Sequence, residues 1–547
     1  MIASMRALPA AWLAGGFLVA LCAVAIGALV AQAAAPGAGA AIAGHLSDPT
    51  VWRAVRFTLW QAALSTLISV VLGIAVALAL HEWRDNAVRR AILALFALPL
   101  ALPQIVAVLG VVALYGERGW LTGAFGAAGI DLPTIYGLPG ILIAHVFFNL
   151  PLAARIVFGA LATIAPEYER LASQLGMGPV SRLRFVHWPL IRPAAASAAS
   201  LVFMLCVTSF AVVLTLGGGP RATTLEVALY QALTFDFDVL RAVVLTFLQL
   251  AVTFAAVALL AGAGGSVEAG FSVAGERARR PMRADRRVWL VAVLLLPALA
   301  AVFVVGPFIA VTVGGLASDL AGLAGQAAVR DAAATSLTLG ASAALLALML
   351  AFALCSGVTV LAGRRRFHGA ASLTEQALAQ APSLILVVPP IVISAGWFIA
   401  LRLVSDVYAA APYMVVAVNA AMAMPFAARM LLPAMLASAE RHGRLCAHLG
   451  ISGRARWRLV TWPVLRAPLI AALAFAFALS LGDLGVIALF GSNEVQTLPY
   501  LILQTMGSYR TQDAAGLALI LTAMTMTSML AAEHFARRRG DRGSRRR

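Results

Sequence analysis

Twelve apolar stretches run through the chain, at about 11–34, 54–81, 91–114, 136–162, 193–217, 240–264, 288–315, 331–361, 376–401, 412–436, 467–491 and 513–534. A bilayer core takes about 20 apolar residues in helical form. Only helices or closed barrels satisfy every backbone group at that depth. The chain is therefore read as an all-α membrane protein of about 12 transmembrane helices. Composition leads the same way: 62% of the 547 residues are hydrophobic and 12% are charged, against about 25% charged in a soluble domain. A soluble enzyme is excluded.

All 40 basic residues are arginine, and there is no lysine. That rules out a Schiff-base lysine and a phosphate-cradling Walker A loop, whose lysine reaches the β- and γ-phosphates. Any ATP used must be bound by another chain. Thirty arginines fall on the side of the N-terminus and six on the other. The excess of loop arginines marks the cytoplasmic side, so both termini are expected there. These basic segments flank spans, where they meet anionic lipid; nucleic acid is not an expected partner. The short basic start and the small-residue stretch AQAAAPGAGA resemble a signal peptide. The first apolar run is nevertheless long enough to span, and is read as an uncleaved anchor. Cys22, Cys206, Cys355 and Cys446 are scattered with no CxxC pair, which reads as buried packing residues. No metal and no cofactor is expected.

The chain is two copies of one unit. RLASQLGMGPVSRLRFVHWPLIRP, from Arg170, aligns with RLCAHLGISGRARWRLVTWPVLRAP, from Arg444, at an offset of 274. The same offset pairs Pro151 with Pro425, Phe203 with Phe477 and Gly217 with Gly491; an offset of 273 pairs Thr224-Leu225 with Thr497-Leu498. Upstream, Pro103 and Gly110 pair with Pro389 and Gly396 at 286, so about 12 extra residues lie around GWLTGAFGAAGIDLP in the first copy. Six spans per copy return the chain to its starting side. The copies are therefore parallel, related by an axis along the membrane normal. The expected division is a first half over 1–264, a basic linker over 265–287, a second half over 288–536 and a basic tail over 537–547.

One long loop repeats, at about 164–192 and 438–466. Each has a short helix with small residues, a glycine (Gly176, Gly450) and, 13 residues later, a proline (Pro189, Pro463). The glycine suits the left-handed residue that ends a helix, and the proline suits the first turn of the next. The expected shape is a helix–turn–helix across the cytoplasmic surface.

This pattern resembles the EAA loop of ABC-importer permeases, E-A-A-x-x-x-G followed by L-P. Here Ala172 and Gly176 fit, but Arg170 and Arg444 stand at the glutamate position. Glu169 lies one residue early, and Glu440 four early. The stretches VRFTLWQAALS from Val55, YGLPGILIAHVFFNLPLAAR from Tyr136, FMLCVTSFAVVLTLGGGPRATTLEVALYQALTFDFD from Phe203 and GSYRTQD from Gly507 are similar to fused two-domain permeases of bacterial thiamine/thiamine pyrophosphate importers. The resemblance implies a type I importer (MetI-like) fold in two pseudo-symmetric halves, in the bacterial inner membrane. It implies two copies of an ABC ATPase docked on Glu169, Arg170, Ala172, Gly176 and Pro189 and on Arg444, Gly450 and Pro463. It further implies a periplasmic binding protein, with thiamine or its phosphates as the transported substrate. Ferric-iron permeases share the fused plan and are the alternative. A secondary transporter is a third reading, against which stand the two repeated loops and the scarcity of intramembrane charge.

Within the spans, His145 and Asn149 share a helix face. Asn419 matches His145, and Asp483 matches Ser209. Polar groups at that depth either line a path or bond helices together, and both readings stand for these five.

Overall fold

A computed structural model describes residues 2–83, 86–262, 287–368, 370–404, 406–492 and 495–537. The linker up to residue 286 and the tail from 538 lie outside the described residues. No strand occurs among the described residues. Among the described residues, eleven helices are long and apolar enough to cross a membrane. The ninth stretch differs from expectation. It is divided into Leu373–Val387 and Pro390–Arg402, because Pro389 carries no N–H and biases Val388 to an extended backbone. The third stretch breaks at the matching Pro103, giving Ala87–Leu95, Leu98–Ala101 and Gln104–Tyr115. Both stretches open on the same cap. The Asn86 side chain accepts from Arg89 N, and Ser372 from Glu375 N, again 286 apart.

The chain forms two compact units. One comprises Met1–Leu46, Leu229–Thr246 and Ser318–Arg547; the other comprises Ser47–Ala228 and Phe247–Ala317. These units differ from the two linear halves expected from the sequence. In the unit holding most of the second half, the first span (Ile2–Ala33) packs on Ala327–His368, Leu373–Val387 and Pro390–Arg402. In the unit holding most of the first half, the seventh span (Arg287–Leu316) packs on Pro49–Glu82 and Gln104–Tyr115. Each half thus surrenders its opening span to the unit built by the other.

Matching glycines allow this packing. A Cβ on Gly110 would stand 2.5 Å from the Pro307 carbonyl oxygen in the seventh span, and one on Gly396 would stand 2.6 Å from the Ala25 carbonyl carbon in the first. Close backbone approach through small residues is how apolar helices associate where there is no water to expel. The first span also buries Ala11, Ala14, Leu18, Leu21, Ala25 and Leu29, a seam at spacings of three and four.

Two further contacts repeat. The Leu225 amide donates to Thr58 Oγ1, and the Leu498 amide to Ser336 Oγ. Each satisfies the otherwise orphaned N-terminus of a short helix, Leu225–Thr234 or Leu498–Gly507. The insertion in the first half forms the short helix Trp120–Ala127, with no buried residue.

Candidate functional site: the repeated loops and the paired polar residues

The first loop folds as a helix over Pro166–Gln174 closed by Gly176 at φ +62°. The Gly176 amide donates to Ser173 O, and the Met177 amide to Ala172 O. In the second loop Gly450 has φ +64°, its amide donates to Ala447 O, and the Ile451 amide donates to Cys446 O. These paired bonds define the Schellman closure of a helix, at the same four positions in both copies.

The segment after the turn departs from expectation. Pro189 and Pro463 do not open a helix. They sit inside a continuous one, after single π-turns over Leu183–His187 and Trp457–Thr461. The Trp188 amide donates to Leu183 O and the Trp462 amide to Trp457 O, each five residues back. A proline ring strikes the carbonyl four residues before it. The widened turn moves that carbonyl away, so the helix continues into the span.

The loops differ at their entry. Pro166 drives Ala165 to an extended backbone, so the fourth span (Leu138–Leu161) ends before the loop helix starts. The second copy has Glu440 at the matching position, and the tenth span runs unbroken from Val407 to His448.

The side chains sort into an inner and an outer face. Ala172 and its counterpart Cys446 are buried; Arg170 and Arg444 are exposed. Leu171 and Leu175 are 51% and 67% exposed, and their counterparts Leu445 and Leu449 are 56% and 63% exposed. Residues four apart share a helix face, so each loop presents one leucine pair outward. Sequence reasoning followed the glutamate position and missed these leucines. Their signal was an apolar pair at the shared offset on an otherwise polar helix.

Glu169 does not face outward. Its Oε1 accepts from His187 Nε2 at 2.9 Å and lies 3.7 Å from His81 Nε2; its Oε2 lies 3.7 Å from Arg182 Nη1. The hydrogen bond from His187, then the neighbouring His81 imidazole, hold its carboxyl well below the usual carboxylate range, against the opposing effect of burial. This cluster joins three elements distant in sequence, which is why no local motif announced it.

The polar candidates within the spans meet in pairs. His145 Nδ1 lies 3.0 Å from Ser65 Oγ, and its Nε2 lies 2.8 Å from Ser209 Oγ. In the second half Asn419 bonds Ser480 Oγ at 3.1 Å and also the Asp483 side chain. The positions that match in sequence therefore pair in both halves. Each pair sits at a break, between Trp188–Val207 and Phe210–Leu216 or between Trp462–Leu481 and Gly485–Phe490. Asp483 also accepts from the Val486 amide, a favourable place for a carboxylate at a helix start. Asn149 donates to Cys206 Sγ at 3.3 Å.

An imidazole with one N–H and one lone pair is fully satisfied between two rotatable hydroxyls. His145→Ala removes a partner from two buried serines, and is expected to cost about 1–2 kcal/mol. The check is the thermal unfolding midpoint in detergent, which should fall. An unchanged midpoint would return His145 to the path-lining reading.

Residues 69–268 match the family model described as the binding-protein-dependent transport system inner membrane component. The chain is 50% identical over 528 residues to the thiamine transport system permease protein ThiP of Brucella abortus (strain 2308), covering 96% of this chain and 95% of that protein. It is 40% identical over 475 residues to ThiP of Escherichia coli (strain K12), covering 87% of each. The chain belongs to the thiamine transport system permease family. Like other ABC-importer permeases, a member of this family is a multi-pass inner-membrane protein that works with an ATPase and a substrate-binding protein. The ferric-iron alternative finds no support in these relatives. A more distant relative, the molybdenum transport system permease protein ModB of Mycobacterium bovis (strain ATCC BAA-935 / AF2122/97), is 32% identical over 40% of this chain and 81% of its own length. Less than half of this fused chain thus corresponds to most of a whole permease.

Proposed function

We propose that the chain is the membrane path of an ATP-driven importer of thiamine and its phosphates, in which each repeated loop docks one copy of an ABC ATPase. The observation that carries the docking reading is the pair of loops themselves, closed identically by Gly176 and Gly450 and each presenting an exposed leucine pair. Exposed apolar side chains on a rigid turn mark a protein-binding surface. The substrate reading rests on the thiamine permeases that this chain resembles nearly end to end.

ATP binding brings the two ATPases together; each loop then moves with its ATPase and pulls on the helix that follows the turn. The π-turns at 183–187 and 457–461 are points of irregular bonding in that helix. The pairs His145–Ser209 and Asn419–Asp483 brace the breaks of the fifth and eleventh spans. Bond chemistry is left to the ATPase. The linear halves 1–264 and 288–536 are the evolutionary units, a reading supported by the two offsets. The first span stays with the mature protein, a reading supported by its buried seam. Both termini face the cytoplasm, on the arginine bias.

Two experiments test this reading. A strain unable to make thiamine and lacking its own importer should grow on low external thiamine when it receives this chain with its cognate ATPase and binding protein. Failure of the complete, expressed set to support growth contradicts the substrate. Leu171→Asp combined with Leu445→Asp places a charge in each docking face, and should reduce ATPase co-purification at least about tenfold, a loss of about 1.4 kcal/mol or more. Undiminished co-purification contradicts docking through these leucines.

A further inference from the structure

Docking uses the outer face of the first loop, and leaves its inner cluster unexplained. His81 lies in the last turn of the second span, Glu169 in the first turn of the loop helix, and His187 at the end of the π-turn. Both imidazoles aim Nε2 at the same oxygen, Glu169 Oε1, at 2.9 and 3.7 Å. The three ligand atoms lie within 4.8 Å of one another, and the two rings meet edge to face at 5.4 Å. The side chains of His81 and His187 are 8% and 5% exposed.

The His187–Glu169 contact is a hydrogen bond at 2.9 Å, and the His81 contact to the same oxygen is longer, at 3.7 Å. Charging both rings would set two cations side by side next to Arg182. A metal ion uses both lone pairs with neither ring charged. Tetrahedral zinc, with bonds of about 2.0–2.1 Å, separates its ligand atoms by roughly 3.3 Å, and the two observed nitrogen–oxygen separations bracket that value. Glu82 also interacts electrostatically with Glu169 and His187. Arg182 faces the other carboxylate oxygen, where an outer hydrogen-bonding group orients a ligating carboxylate.

We infer that His81 Nε2, Glu169 Oε1 and His187 Nε2 form a site for a divalent ion of the zinc class, stapling the first loop helix to the second span and to the lead of the fifth. Imidazole and carboxylate suit zinc and its neighbours in the first transition row. The second copy has Gly443 and Thr461 where the first has Glu169 and His187, so it lacks the site. There the tenth span runs unbroken into the loop. In the first copy Pro166 interrupts that continuity, and the metal restores a rigid tie.

The test uses the purified full-length chain, stripped with chelator and titrated with Zn²⁺ against a competing chelator, with Co²⁺ as a spectroscopic substitute. One zinc per chain is expected, with a cobalt spectrum free of a sulfur charge-transfer band. His81→Gln and His187→Gln should each weaken binding about a hundredfold. His45→Gln, at a histidine outside the cluster that lies 3.4 Å from Asp238, should leave binding unchanged. Thermal unfolding without metal confirms that each variant is folded. Absence of stoichiometric binding by the unmodified chain overturns the site. So does equal binding by the folded cluster variants, or a cobalt–thiolate spectrum. None of these readouts depends on transport, so failure here leaves the importer reading intact.

Discussion

Gly176→Val and Gly450→Val should each cut thiamine uptake at least about tenfold while the protein still inserts in the membrane. Both residues sit at positive φ, +62° and +64°, where a β-branched side chain is a genuine outlier. A Cβ at either position meets nothing within 4 Å, so the cost is one of backbone conformation and not of crowding. Left-handed backbone costs an ordinary L-residue about 1–2 kcal/mol, and valine is among the worst placed to bear it. The turn relaxes by giving up the Met177–Ala172 or Ile451–Cys446 bond, and the exposed leucines, which we propose dock the ATPase, lose their orientation. Asn tolerates this conformation better, so Gly176→Asn and Gly450→Asn should retain more uptake than the valine variants. Membrane-inserted valine variants with normal uptake would show that the closure of the turn does not matter.

Gly110→Val and Gly396→Val should act earlier, on the folded chain itself. Each new Cβ meets backbone of another span, Pro307 for the former and Ala25 for the latter. Carbonyl groups inside a helix cannot rotate away as a side-chain tip can. Overpacking typically costs about 1–3 kcal/mol, and more where backbone must shift; the upper end is expected here. The unfolding midpoint in detergent should fall, and the yield of intact chain with it. Gly→Ala places a Cβ in the same space, so even that variant should be measurably weaker. Unchanged midpoints would contradict the exchange of opening spans, because these glycines fit closely against spans that open the other half.

The apolar stretches and the offsets of 274 and 286 were legible in the sequence because both are one-dimensional signals. So were the two turn glycines, whose role is local. The exchange of the first and seventh spans was not legible. A span apolar on every side carries little record of which neighbour it meets, and only Gly110 and Gly396 hinted at a close contact without naming the partner. The π-turns escaped because a proline after an amphipathic segment reads as a helix start, although here it is accommodated in mid-helix. In the sequence, His145, Ser209, Asn419 and Asp483 read only as single polar residues at depth. Their pairing across the same helix break in both copies is a fact of three dimensions. The leucine pairs are visible in the sequence but belong to no motif, whereas the loop pattern points to the glutamate position that Arg170 and Arg444 occupy. His81, Glu169 and His187 come from a span end, a loop helix and a π-turn, and only the fold brings them together.

The most direct test is transport in a defined system: proteoliposomes holding this chain and its cognate ATPase, supplied with the cognate binding protein and labelled substrate. Thiamine accumulation that needs ATP, the binding protein and this chain together is expected. Thiamine uptake that proceeds without ATP, or ATP-dependent ferric-iron uptake with no thiamine uptake, would contradict it.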